Sequence, residues 1–281
     1  MKKIAIAFLF LFGLSQFTAQ EEESKKFRFG LKGDAAVGWL APDDERRFSS
    51  AGVGLGLGWG LQMEFRLGKT TSFATGLNLE SFSAKLNYAD DALAAYKPTY
   101  YMLNDFQYVQ WDELNTPIDS TQGDLYQLKQ RKYTINYVNL PFILKMKTKE
   151  IGYFTYFGEF GGVIGFKTKA RVDDVSDRID TTANAFTVDV ANFPGLDDLD
   201  LAKGTQPIRV GIRVGGGAEY NISGSTSLFF SLHYNYFITN ALTRSQSEDF
   251  LRSYDPTTGE FSAVGAKAIP GSVALTVGVL F

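Results

Sequence analysis

Residues Tyr133–Arg171 read YTINYVNLPFILKMKT, KEIG, YFTYFGEFGGVIGFKTKAR. Two long stretches of alternating character flank a connection too short for anything but a hairpin, and much of the chain repeats that unit. The clearest repeat runs from Val53 to Leu67. Its odd positions are Val53, Leu55, Leu57, Trp59, Leu61, Met63, Phe65 and Leu67, and its even positions are Gly54, Gly56, Gly58, Gly60, Gln62, Glu64 and Arg66. One face is wholly apolar; the other is glycine or charge.

Alternation alone does not say which face is inside, because a soluble barrel turns its apolar face inward and a membrane barrel turns it outward. Length and residue size decide. Fifteen unbroken residues exceed the usual strand of about five or six but suit a tilted strand crossing a bilayer. Consecutive glycines suit a crowded lumen better than a solvated surface. They recur every second residue with no helix start after them, so they are not a phosphate-binding loop.

Eight such strands are predicted. They begin near Phe27, Val53, Ser72, Tyr133, Tyr153, Pro207, Thr226 and Gly271, and an apparent change of parity near Ser81 predicts a bulge in the third. Short connections near Lys69, Glu150 and Gly224 alternate with longer ones at Pro42–Ser50, Ala89–Gln130, Val172–Gly204 and Leu242–Lys267. The expected fold is all-β, an eight-stranded antiparallel up-and-down transmembrane β-barrel with periplasmic turns and extracellular loops. Keeping one face outward across each hairpin requires loops of odd length. Three-residue loops centred on Thr70, Ile151 and Gly224 meet that requirement, with Gly152 in the left-handed position. In this register Glu159 faces Ile143 and lies diagonal to Lys145. Pro141 sits mid-strand and predicts a bulge or a missing hydrogen bond.

Composition agrees: 24 Phe, 14 Tyr and 28 Gly accompany only 8 Pro and no Cys in 281 residues. Such usage favours strands and excludes disulfides and thiolate metal sites. Residues 1–19 carry Lys2 and Lys3, the apolar run Ile4–Leu14 and a polar segment ending in Ala19, the pattern of a cleaved secretory signal. No Cys follows it for lipid attachment. Residues 20–26 are a polar leader and 27–281 the barrel domain. Removing the two lysines takes the formal charge from −3 to −5, which gives no case for nucleic acid.

Within the opening hairpin, Tyr137-Val138-Asn139-Leu140-Pro141, Leu144-Lys145, Lys147-Thr148, Glu150-Ile151-Gly152-Tyr153, Gly158 and Phe160-Gly161 resemble the central signature of PorT-family outer-membrane barrels of Bacteroidetes. About forty residues carry the resemblance closely; elsewhere it is one of strand plan. It implies an outer-membrane location and a link with type IX secretion and gliding-associated export. Asn139 stands where the family usually has a glutamate. The last strand, ending in Phe281, is similar to the signal that delivers such barrels to their insertion machinery.

The lumen parity collects Arg28, Lys32, Asp34, Glu64, Arg66, Glu80, Lys145, Glu159, Arg209, Arg213, Glu219 and His233. An eight-stranded barrel is wide enough only to be filled by side chains, so these residues are expected to pair and plug it. The alternative is a small-solute channel or binding barrel. A lipid-modifying enzyme would need His233 as base beside a serine nucleophile, but His233-Tyr234-Asn235 offers none in register. The chain is therefore expected not to be an enzyme and to hold no cofactor or metal. The acidic stretch Asp173, Asp174, Asp177, Asp180, Asp197, Asp198 and Asp200 lacks calcium-loop spacing and is expected to be solvated. Tyr96, Tyr100, Tyr101, Phe106, Tyr108 and Trp111 form a candidate partner loop, the other reading being a self-packed cap. Expected partners are outer-membrane lipid and lipopolysaccharide, the barrel-insertion machinery and an envelope protein.

Overall fold

A computed structural model of the chain describes residues 26–45, 48–88, 98–105, 107–111, 123–180, 187–189, 196–224, 226–242, 250–254 and 260–281. The expected signal, the leader up to Lys25 and parts of the long connections lie outside the described residues. Among those described, eight strands close a ring: β1 (Phe27–Pro42), β2 (Ser49–Arg66), β3 (Thr71–Asn87), β4 (Gly123–Lys147), β5 (Phe154–Asp180), β6 (Ile208–Ser223), β7 (Thr226–Phe237) and β8 (Ala268–Leu280). Each pairs antiparallel with its sequence neighbours, and β8 pairs with β1, so the barrel has no open edge. No described helix is long and apolar enough to cross a membrane, which has no bearing on strands.

The faces follow the alternation. Leu55 and Leu57 are 82% and 73% exposed, and Leu31, Trp59, Phe142, Phe160, Val214 and Leu232 share that outer surface. Lys32, Asp34, Glu64 and Lys145 point into the lumen and are buried. A continuous apolar exterior with a charged interior is the arrangement a bilayer selects.

Register differs from expectation at two turns. Lys145 lies directly opposite Glu159, and Ile143 opposite Gly161, so the β4–β5 pairing is displaced by two residues. The cause is local: Ile151 and Phe154 pair with each other, and Gly152 adopts φ 66° in the tip between them. At the first turn, Arg66 pairs with Ser72, which centres the loop on Lys69, not Thr70. The third is centred on Gly224 (φ 55°), as expected.

Pro141 continues the ladder on the β5 side, opposite Val163. On the β3 side the pairing skips from Thr75↔Phe142 to Asn78↔Asn139. The ladder lapses where proline has no N–H to donate.

The expected bulge in β3 is absent. Phe82, Ala84 and Leu86 stay on the inward parity of Asn78 and Glu80, and the irregular register there belongs to β2. What changes is the chemistry of the interior. Above the membrane band the inward side chains become apolar, and Leu40, Phe48, Phe82, Leu86, Tyr88, Tyr133 and Ile135 belong to one buried cluster. The barrel is inside-polar where lipid surrounds it and inside-apolar where water does.

The opening hairpin is also longer than expected, reaching from Gly123 to Asp180. Both flanking segments, read as loops in the sequence, are partly strand. Pro98–Leu103 pairs with β4, Leu196–Asp200 with β5, and Arg252–Tyr254 with both Pro98–Leu103 and Phe261–Ala263. These short strands widen the extracellular end of the sheet.

Candidate functional site: the lumen and its extracellular cover

The lumen is filled at three levels. Nearest the short turns, Arg28 donates to Glu219 at 2.8 Å and Glu64 at 3.1 Å, and Lys147 pairs with Glu219 at 2.6 Å and also with Glu64. Lys145 lies 3.9 Å from Glu64 and 4.3 Å from the centre of the Phe157 ring. Three cations therefore share two carboxylates in a space closed by an aromatic face.

At mid-height, Lys32 lies 3.2 Å from Asp34, which also accepts from the Thr276 hydroxyl. Arg213 donates to Asn235 at 2.8 Å, and Asn235 donates to Ser272 at 3.0 Å. His233 Nδ1 stands 3.4 Å from Glu159. Next to Pro141, Arg209 donates to Glu80 at 2.6 Å and Asn139 at 3.0 Å, while the Asn139 amide donates to Glu80 at 2.6 Å. The Arg209 guanidinium lies 3.8 Å from the Tyr137 ring centre and 4.3 Å from that of Phe237. Glycine makes room for it: a Cβ on Gly165, directly opposite Arg209, would come within 2.8 Å of the arginine side chain.

Eleven of the twelve expected lumen residues thus stand inside the barrel and are buried or partly buried. Arg66 has the inward parity but lies exposed at the periplasmic mouth, beyond the closing contacts. Lys147, Asn139 and Asn235 were not anticipated. Lys147 has the same parity as Lys145, which is the signal that would have found it.

A second buried centre occupies the extracellular end. Arg131 and Asp174 form two hydrogen bonds of 2.6 Å, and both are almost fully buried. Tyr108 donates to Asp174 at 2.5 Å, and the Arg131 guanidinium is ringed by Tyr88, Tyr100 and Tyr108 at 5.2–5.9 Å. The Tyr88 and Tyr133 hydroxyls bond each other. Burial pushes the Tyr88, Tyr100 and Tyr108 hydroxyls well above the usual tyrosine range and raises Tyr133 as well. For Arg131, burial alone would favour loss of the proton, but the charge and hydrogen bonds of Asp174, with the neighbouring Tyr108 and Tyr133, together outweigh it and hold the guanidinium charged.

The described aromatics of the candidate partner loop pack as the self-packed cap, the other reading of that segment. Tyr100 and Tyr101 are buried, and Tyr108 packs edge-on to Tyr100. Trp111 donates to the Phe250 carbonyl at 3.1 Å and packs on Phe261. Tyr100 and Tyr108 line the inside of the cover, while Tyr101 and Trp111 pack with Leu125 and Ile179 in a separate cluster, because Pro98–Leu103 joins the sheet beside β4 and its adjacent residues point to opposite faces. Tyr96 and Phe106 lie outside the described residues.

In the acidic stretch Asp197, Asp198 and Asp200 are exposed, and only its first half is corrected. Asp173 pairs with Lys132 at 2.8 Å, Asp174 with Arg131, and Asp177 with Lys129 at 2.5 Å, all across the β4–β5 ladder. Lys129, Arg131 and Lys132 mirror Asp177, Asp174 and Asp173 about the hairpin tip, a legible signal of pairing. Among the described residues no group of three His, Asp or Glu side chains gathers as a metal site.

Several solved structures are similar to this chain. Neisserial surface protein A is 12% identical over 92% of this chain and 98% of its own, with a TM-score of 0.37. OprG from Pseudomonas aeruginosa is 11% identical over 92% and 97%, with a TM-score of 0.42. The outer membrane protease OmpT from Escherichia coli is 8% identical over 94% and 98%, with a TM-score of 0.28. The expectation that the chain is not an enzyme is corrected here, since a protease stands among the similar barrels. No curated protein matches the chain. The family model described as outer membrane protein beta-barrel domain matches residues 16–243. Closed antiparallel strands, a lipid-facing exterior and this match lead to one conclusion: the chain belongs to the outer membrane protein beta-barrel domain family and resides in the outer membrane, amid lipid and lipopolysaccharide.

Proposed function

We propose that this barrel is a closed outer-membrane scaffold, plugged by its own lumen charges, that meets envelope partners through the outer surface of its extracellular sheet. The observation that carries the reading is the series of buried pairs Arg28–Glu219, Lys32–Asp34 and Arg209–Glu80, topped by an apolar cluster and the Arg131–Asp174 pair. Paired lumen charges leave little of the interior for a solute, so the elaborated extracellular end is the part free to act.

The PorT-like hairpin supports an origin in Bacteroidetes and a part in type IX secretion. Where that family usually has a glutamate, Asn139 here bonds Glu80 from the neighbouring strand, so a carboxylate still occupies this height of the lumen. Residues 1–19 serve as a signal cleaved on export, and the strand ending in Phe281 delivers the barrel to the insertion machinery.

The test cuts the extracellular hairpin back to Tyr133 and Arg171, joined to the cover by short polar linkers, with heat-modifiable migration as the check on folding. Surface crosslinking of cells should lose its specific adducts. Unchanged adducts, together with solute entry into liposomes carrying the intact chain, would replace the scaffold reading with a channel.

A further inference from the structure

On the outer face of β3, β4 and β5, the apolar band ends at Leu79, Val138 and Phe166, which lie side by side. The next rows outward are Ser81–Asn136–Lys169, Ser83–Thr134–Arg171 and Lys85–Lys132–Asp173. A bulge at Thr168 is what turns Lys169 and Arg171 to this face: below it the even residues of β5 face out, and above it the odd ones do. Lys169 and Arg171 therefore stand in the two rows just beyond the lipid-facing band, with Lys85 and Lys132 one row higher.

Their pairing is uneven. Higher on the same hairpin each outward cation has an acid partner: Lys132 with Asp173, Lys129 with Asp177, and Arg178 with Asp124 at 2.7 Å. Arg171 donates to the Asp198 carbonyl at 3.1 Å and stands 3.7 Å from the Asp198 carboxylate and 3.9 Å from that of Asp200, while its Nε has no hydrogen-bond partner. Lys169, in the first row beyond the apolar band, and Lys85, two rows higher, have no acid partner among the described residues. Lys85 lies directly opposite Lys132, whose own partner Asp173 is on its far side, so that row carries two cations for one carboxylate. Asn136, opposite Lys169, buries an amide oxygen with no hydrogen bond.

We infer that Lys85, Lys169 and Arg171 form a binding site for the phosphates of an outer-leaflet glycolipid, lipopolysaccharide. The height of the site selects a lipid headgroup over a soluble anion. Lys85 and Lys169 are about 16 Å apart at their Cα atoms, from four residues of rise and two strand spacings. Their side chains can close on a headgroup that carries more than one phosphate, with Ser81 and Thr134 available between them as donors. The site is separate from the lumen and from the partner role proposed above, and needs only the membrane placement of the family.

The test uses the refolded full chain in phosphatidylcholine nanodiscs, titrated with lipopolysaccharide, phosphatase-treated lipopolysaccharide or inorganic phosphate, with bound lipid read by native mass spectrometry. The wild type should retain lipopolysaccharide in preference to the phosphatase-treated form. Lys85→Gln with Lys169→Gln should weaken retention about thirtyfold, from roughly fivefold for each lysine near an anionic surface. Lys26→Gln with Lys149→Gln, at the opposite end of the barrel, should leave it unchanged, and heat-modifiable migration checks that all variants fold. Equal retention by the Lys85/Lys169 variant, or equal binding of the phosphatase-treated form, would overturn the site. Competition by inorganic phosphate at micromolar concentration would overturn the lipid assignment in favour of a free anion.

Discussion

Replacing Arg131 by Met would leave Asp174 buried with the Tyr108 hydroxyl as its remaining side-chain donor, because both 2.6 Å bonds to the carboxylate come from the arginine. Breaking a buried pair from one side costs about 3–5 kcal/mol, most of it the desolvation of the carboxylate left behind. The loss should fall on the extracellular cover, since the lumen levels below have separate partners. Hydrogen exchange should show Gly123–Gln130 and Val175–Asp180 opening more than a hundredfold more often, while the band that migrates anomalously in unheated gels persists. Arg131→Met combined with Asp174→Leu removes both charges and fills the site with apolar groups of similar reach. The double variant should recover most of the protection, so the coupling in the cycle should exceed about 2 kcal/mol. Additive costs, or a single-variant cost below about 1 kcal/mol, would refute the idea that this pair is what the cover is built around.

Three other outcomes follow from particular contacts. Tyr88, Tyr100, Tyr108 and Tyr133 keep their protons to higher pH folded than unfolded, so their contribution is fully present below the unfolded value near 10 and is lost as pH rises through the folded values. Absorbance at 295 nm should show delayed ionisation, with the cover opening as these groups titrate; ionisation at the free-tyrosine pH with the cover intact would contradict their burial. Gly165→Val should displace Arg209 and destabilise the barrel by roughly 1–3 kcal/mol in urea titrations, whereas Gly158→Ala, which would meet nothing within 4 Å, should be nearly silent. For register, Leu144→Cys with Phe160→Cys should form a disulfide readily, and Phe142→Cys with Phe160→Cys should not, because Leu144 is the residue opposite Phe160.

Much of the fold could be read from period two alone. The eight strands, their faces and the three tight turns follow from side chains that must satisfy lipid outside and a crowded lumen inside. Register was harder, because shifting a hairpin by two residues preserves every face; Glu159 changes partner from Ile143 to Lys145 without moving a lipid-facing residue inward. The supposed bulge in β3 failed for a different reason. Phe82, Ala84 and Leu86 looked like a change of face, but the solvent had changed from lipid to water and the chain kept its parity. The same inversion hid the upper hairpin: Tyr126, Leu128 and Tyr133 face inward there, opposite to the lipid rule applied below. Within the site, charge parity located the lumen residues, but their partners depended on strands far apart in sequence, as with Arg28 and Glu219 or Asp34 and Thr276.

The central claim is that the lumen is closed by its own side chains, and planar-bilayer conductance of the full refolded chain tests it most directly. The packed pairs around Glu64, Asp34 and Glu80 predict a bilayer that stays at its protein-free baseline under applied voltage. Steady, porin-like openings in the folded, heat-modifiable protein would contradict it.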